Sequence, residues 1–217
     1  MTDPIRVLLV DDQALIRVGF RMVLEAEDDI EIVGEAGDGA VAVRQAAALA
    51  PDVVLMDVRM PGTDGIAATE SIVREHPGIR VLVLTTFDLD EYAFGAIRAG
   101  ASGFLLKDAQ RQELVAAVRA VARGDAVLAP RATRAFLDQL SAQPAPTASG
   151  PDPTAELTER EREVFLAIAQ GLTNTEIAEQ LYLSESTVKT HVGRVLAKLE
   201  ARDRIQAVII AHRCGLV

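Results

Sequence analysis

The sequence predicts a two-part fold: an α/β unit with a doubly wound, five-stranded parallel sheet, followed by a smaller all-α helix-turn-helix unit. Three observations carry this. Five short apolar runs alternate with helix-period stretches over the first 124 residues. Such alternation implies a parallel sheet covered by helices on both faces. A proline-rich stretch, "SAQPAPTASGPDPTAE", then interrupts all periodicity and reads as a linker. Beyond it the pattern is purely helical.

The apolar runs are Val7–Val10, Ile30–Val33, Val53–Met56, Val81–Leu84 and Phe104–Leu106. Runs this short and continuous suit strands buried on both faces. Helical periodicity falls at about 14–26, 39–50, 65–76, 89–99 and 111–123. Residues 125–156 form the linker, with a helix possible at 130–140. In the last part, 157–217, Thr158 and Glu161 have capping-box spacing, and Gly171 marks a stop. Thr173 and Glu176 repeat the device. Ser184 can cap a third helix reaching about Leu199. A fourth helix, about 203–213, has an apolar stripe of Ile205, Val208 and Ile209. That stripe suits either a dimer seam or the completion of a four-helix core.

Composition narrows the class. The chain has 217 residues, 49% of them hydrophobic, and a formal net charge of −10. The apolar runs are too short to span a membrane, and the N-terminus lacks a signal-peptide core. One cysteine, Cys214, leaves no disulfide or cysteine metal cluster. These features predict a soluble, cytoplasmic protein. The overall charge argues mildly against nucleic acid, but the last 36 residues hold six basic side chains against three acidic ones. Charge distribution therefore says more than the total.

The stretch "VVLMDVRMPGTDG" runs four apolar residues into an acid, Asp57, and then into a turn. Sites in parallel sheets form at the carboxyl ends of strands. Strand one ends in Asp11-Asp12, strand three in Asp57, strand four in Thr85-Thr86 and strand five in Lys107. Clustered acids repel one another, which a divalent cation relieves. All-oxygen ligands favour Mg²⁺ over zinc. Lysine and threonine beside a metal-bound carboxylate suit a phosphoryl group, with Asp57 as the acceptor. The plainer alternative is that Asp11 or Asp12 caps the first helix.

"LLVDDQ", "VVLMDVRMPGTDG", "VLVLTT" and "GASGFLLK" together resemble the receiver domain of two-component response regulators. "LTEREREVFLAIAQGLTNTEIAEQLYLSESTVKTHVGRVLAKL" is similar to the DNA-binding domain of the NarL/LuxR-type subfamily. The resemblance implies direct Mg²⁺ ligation by Asp12 and Asp57, Asp11 acting through water, and the Arg59 carbonyl as a further ligand. It implies that Thr85 closes on the phosphoryl group, Lys107 pairs with it and Phe104 is the switch aromatic. It implies a sensor histidine kinase as donor, promoter DNA as target and a homodimer on activation. Asp108 departs from the proline that many receivers carry after the lysine.

A helical wheel of the third C-terminal helix puts Val188, Val192, Val195, Leu196 and Leu199 on one side. The opposite side is small, polar and basic, as a helix entering the major groove requires. The expected DNA contacts are Ser186, Thr187, Lys189, Thr190, Arg194 and Lys198. Gly193 departs from the polar or basic residue of many relatives and cannot read a base. Two other classes compete. An aspartate-nucleophile phosphohydrolase would want a second acid at position 59, where Arg59 stands. A helical adaptor that avoids DNA would not need the basic face.

Overall fold

The structure, a computed structural model, describes residues 3–85, 91–125, 127 and 154–216. The expected linker lies almost wholly outside the described residues, as do the helix suggested at 130–140 and Thr86. The chain divides into two compact units, Met1–Ala129 and Pro130–Val217.

In the first unit, β1 (Ile5–Val10), β2 (Ile30–Ala36), β3 (Val53–Asp57), β4 (Arg80–Thr85) and β5 (Gly103–Leu106) alternate with five helices. These are α1 (Ala14–Leu24), α2 (Gly39–Leu49), α3 (Gly65–Glu75), α4 (Glu91–Arg98) and α5 (Arg111–Ala122). The strands form one parallel sheet in the order β2-β1-β3-β4-β5. The predicted fold class is therefore observed. Side chains alternate across the sheet. Val7, Leu9, Val53, Leu55, Leu82 and Leu84 join Leu24 of α1 and Leu114, Val115, Val118 and Val121 of α5 in one buried cluster. The alternate residues, Leu8, Val54, Met56, Val81 and Val83, are also buried, and α2, α3 and α4 pack on the strands besides.

β1 neighbours both β2 and β3, so successive connections leave it in opposite directions. The switch point of the sheet therefore lies between the ends of β1 and β3, where Asp11 and Asp57 stand. The strands run longer than their apolar runs suggested. β2 continues through Gly34 and Glu35 to Ala36, which pair with Leu8, Leu9 and Val10 of β1, and Arg17 and Arg21 of α1 hold the Glu35 carboxylate at 3.0 and 2.7 Å.

The second unit holds α6 (Glu159–Ala169), α7 (Asn174–Leu181), α8 (Glu185–Lys198) and α9 (Arg204–Arg213). Both predicted capping boxes form, Thr158 with Glu161 and Thr173 with Glu176. Ser184 caps α8 by accepting from the Thr187 amide. Gly171 takes a φ of 81° after α6, a conformation that suits glycine at a helix stop. The core joins Val164, Phe165 and Ile168 of α6, Ile177 of α7, Val188 and Val195 of α8, and α9. Ile205, Val208 and Ile209 are 2, 7 and 9% exposed. The α9 stripe therefore completes the four-helix core, and the alternative of a dimer seam there is set aside.

Candidate functional site

The first site stands on the carboxyl rim of the sheet. Asp57 is the last residue of β3 and Thr85 the last of β4. Asp11 directly follows β1, and its amide donates to the Ala36 carbonyl. Lys107 directly follows β5, and its amide donates to the Thr85 carbonyl at 2.8 Å. Backbone ladders thus carry four side chains to one rim.

Those side chains meet. The Lys107 ammonium lies 2.6 Å from Asp11 and 2.9 Å from Asp57. Carboxylate oxygens of Asp11, Asp12 and Asp57 lie within 4.8 Å of one another. Asp11, Asp57 and Thr85 are buried and Asp12 is exposed. Three carboxylates against one ammonium leave a net charge of −2, and every acidic donor is a hard oxygen. That balance and donor set fit Mg²⁺. A cavity of about 160 Å³ opens here, lined by Asp12, Gln13, Asp57, Val58, Arg59, Thr85 and Lys107. At roughly 30 Å³ per water, it has room for a phosphoryl group.

Burial pushes the Asp57 carboxyl above the usual carboxylate range, against the pull of Lys107. Burial also works against the Lys107 charge, but hydrogen bonds to Asp11 and Asp57 outweigh it and hold its pKa above the ordinary lysine value. The acids are not spent on α1. Its N-cap is Gln13, with no side-chain cap bond, and Asp11 Oδ1 instead accepts from the Gln13 amide at 2.9 Å.

The turn after Asp57 brings α3 against the acid. The Gly65 amide donates to the Val58 carbonyl at 3.0 Å. Asp64 caps α3 by accepting from the Ala67 amide at 2.8 Å. The Arg59 amide donates to Asp57 Oδ1 at 3.3 Å. Phe104 is 3% exposed, on β5, the strand that leads into Lys107.

Sequence reasoning missed Arg17. Its guanidinium donates to the Asp11 carbonyl at 2.7 Å and to Glu35 at 3.0 Å, which ties α1 and β2 to the acidic loop. Nothing in the local pattern marks a pair 18 residues apart.

The second site is the outer face of α8. Ser186, Lys189, Thr190 and Arg194 are exposed, and Thr187 is half-buried. Val188, Val192, Val195 and Leu199 are buried as the wheel requires, with Leu196 half-buried. Lys198 stands apart from the expected set. Its ammonium pairs with Glu161 of α6 at 2.6 Å and donates to the Glu156 carbonyl at 3.1 Å. Lys198 and the Thr158 amide together hold the Glu161 carboxyl down at about 2.

The sequence model of the response regulator receiver domain matches residues 7–119. That of the bacterial regulatory proteins, luxR family, matches residues 155–211. The chain is similar to the uncharacterized transcriptional regulatory protein YxjL of Bacillus subtilis (strain 168), at 47% identity over 99% of this chain and 98% of that protein. It is similar to the transcriptional regulatory protein LiaR of the same organism, at 44% identity over 98% of this chain and 99% of that one. Among solved structures it is similar to the response regulator ChrA of a heme-sensing two-component system. That match has a TM-score of 0.54 and 38% identity, and it covers 100% of both chains.

Proposed function

Because the chain belongs to the response regulators that join a receiver domain to a LuxR-family DNA-binding domain, we propose that phosphorylation of Asp57 by a sensor histidine kinase controls its binding to promoter DNA. The observation that carries this reading is the Lys107 ammonium within 2.9 Å of both Asp11 and Asp57 beside an open cavity. In the transfer, an Asp57 oxygen bonds to phosphorus as the bond from phosphorus to the donor imidazole breaks. The imidazole keeps the electron pair and takes up a proton. Lys107 then pairs with the phosphoryl group, and the Thr85 hydroxyl hydrogen-bonds to it. Asp11, Asp12, Asp57 and the Arg59 carbonyl are the residues that would hold Mg²⁺, which supplies charge neutralisation to the phosphoryl oxygens. Phe104 follows Thr85 toward the rim.

The exposed strip of Leu15, Val18 and Met22 on α1 begins just beyond Asp12 and offers apolar surface for the donor protein. On DNA, Ser186, Thr187, Lys189, Thr190 and Arg194 make the contacts. Lys198 is withdrawn from that set because Glu161 already holds it. Two copies on neighbouring half-sites raise affinity and specificity together, so the active form is a homodimer. Among the described residues no helix is long and apolar enough to cross a membrane, and this reading puts the protein in the cytoplasm.

The test uses a small phosphodonor with Mg²⁺. Wild type takes up one phosphoryl group and Asp57→Asn none; equal labelling of the variant defeats the assignment. DNA is then selected from a random pool with the phosphorylated chain. Lys189→Ala lowers the slope of log affinity against log salt by about one if it meets a phosphate. Sedimentation with beryllofluoride over a concentration series reads the dimer. A chain that stays monomeric both alone and on DNA rules that part out.

A further inference from the structure

Among the described residues, the helix-turn-helix leaves one large apolar side chain, that of Tyr182, outside its own packing. α7 ends with Leu183 N–H donating to the Ala178 carbonyl at 2.9 Å and Tyr182 N–H to the Glu179 carbonyl at 3.4 Å. This double stop puts residue 182 in the left-handed region, at a φ of 55°, where glycine is the usual occupant. α6 ends in the same conformation and uses Gly171 there. A tyrosine in its place is strained, because a Cβ crowds the following carbonyl. Ala50 and Glu200 also have positive φ, but neither carries a ring. Tyr182 is 95% exposed, more than any other large apolar side chain among the described residues. The domain therefore bears both a backbone strain and an unburied ring, and neither contributes to its own packing. An outlier of this kind points to a bound state in which it is used.

The turn is nevertheless fixed. Arg160 of α6 donates to the Leu181 carbonyl at 2.8 Å. Ser184, two residues on, caps α8 through the Thr187 amide at 3.2 Å. The ring is thus presented from a rigid backbone beside the start of α8, where Ser186 and Lys189 are exposed. In a helix-turn-helix the second helix lies in the major groove while the first crosses the sugar–phosphate backbone. The turn between them passes over the rim of the groove. Tyrosine hydroxyls are regular donors to phosphate oxygens. Exposed Glu179 and Glu185 stand three residues to either side; they would draw a lysine placed here but leave a neutral phenol free.

We infer that Tyr182 is a DNA contact, its ring against the sugar–phosphate rim and its hydroxyl donating to a phosphate, outside the reading face of α8. This rests on the DNA-binding function proposed above. As a neutral contact it displaces no counterion, so its loss weakens binding without changing the salt dependence.

The experiment uses the full chain, phosphorylated, with a duplex recovered from a random pool and fluorescence anisotropy over a salt series. Tyr182→Gly relieves the left-handed strain, so its C-terminal unit melts no lower than wild type, while affinity falls roughly tenfold. Tyr182→Phe keeps the ring and loses about threefold. Both retain the wild-type salt slope. Should the glycine variant melt lower, Tyr182→Asn takes its place, since asparagine tolerates the left-handed region. Wild-type affinity in the glycine or asparagine variant overturns the inference, as does a slope lowered by one. Absence of binding by the wild-type chain itself is a different result and defeats the DNA-binding reading instead.

Discussion

The Cβ that Gly65 lacks would stand 1.9 Å from the carbonyl oxygen of Asp57 and 3.0 Å from the Val58 Cα. Both neighbours are backbone, so no side chain can swing away to make room. Any larger residue must push the start of α3 from the end of β3. Gly65→Ala is therefore expected to lose about 1–3 kcal/mol or more of receiver stability and to slow phosphorylation, because the displaced strand end carries Asp57, the proposed acceptor. Chemical denaturation and the labelling rate with a small phosphodonor measure the two effects. An alanine variant with wild-type stability and rate would show that the turn yields freely.

Burial of the Asp57 carboxylate works against stability. Its pKa is raised in the fold, chiefly by burial. Relative to the unfolded chain, its ionised form is therefore disfavoured. The associated stability is present below the unfolded carboxylate pKa and lost as pH rises through the folded one. Asp57→Asn, in chelator, should raise receiver stability at neutral pH, and the gain should shrink as pH falls through the carboxylate range. Lys107 still has Asp11, 2.6 Å away in the wild-type chain, as a partner in that variant. Added Mg²⁺ should stabilise wild type by about 2.7 kcal/mol at a hundredfold excess over its dissociation constant, and the variant by less. A variant no more stable than wild type at neutral pH would show that the Lys107 pairing outweighs the burial.

Lys198 and Glu161 make the opposite case. The Glu161 carboxyl is depressed to about 2, against roughly 4.3 unfolded. Its contribution is present above the unfolded value and lost as pH falls toward 2. Lys198→Met should increase amide exchange in α6 at pH 7, with the difference closing in acid. The same variant should keep nearly the wild-type salt slope on DNA, unlike Lys189→Ala. A slope lowered by one would return Lys198 to the DNA-contact set.

Most of the receiver rim was legible because four of the five strands carry a short apolar run that leads into a chemically distinct residue. Asp57 after Met56 and Lys107 after Leu106 needed no knowledge of distant partners. Helix starts were legible for the same reason, since Thr158 and Glu161 signal a cap within four residues. Tertiary pairing was not. Lys198 was expected among the DNA contacts, but its partner lies 37 residues back in the chain. The α9 stripe was visible as a stripe, yet only the packed domain shows that Ile205 is covered by its own helices. Gly65 was quoted as part of a turn, whereas its role depends on how near the preceding strand returns. Tyr182 gave no signal at all, because strain and exposure are properties of the folded turn.

The contact at Val127 bears on how the receiver can be separated from the rest of the chain. Its carbonyl accepts from the Phe104 amide at 2.9 Å, and its amide donates to the Ser102 carbonyl at 3.3 Å. These bonds cover part of the outer side of β5, an edge of the sheet. A fragment cut at 124 would bare the Phe104 amide and the Ser102 carbonyl on that edge, and unpaired edge groups are the template on which sheets of separate molecules join. A fragment ending at 129 retains the cover. Solubility of an excised receiver thus turns on a few residues beyond its last helix, where the sequence already reads as linker.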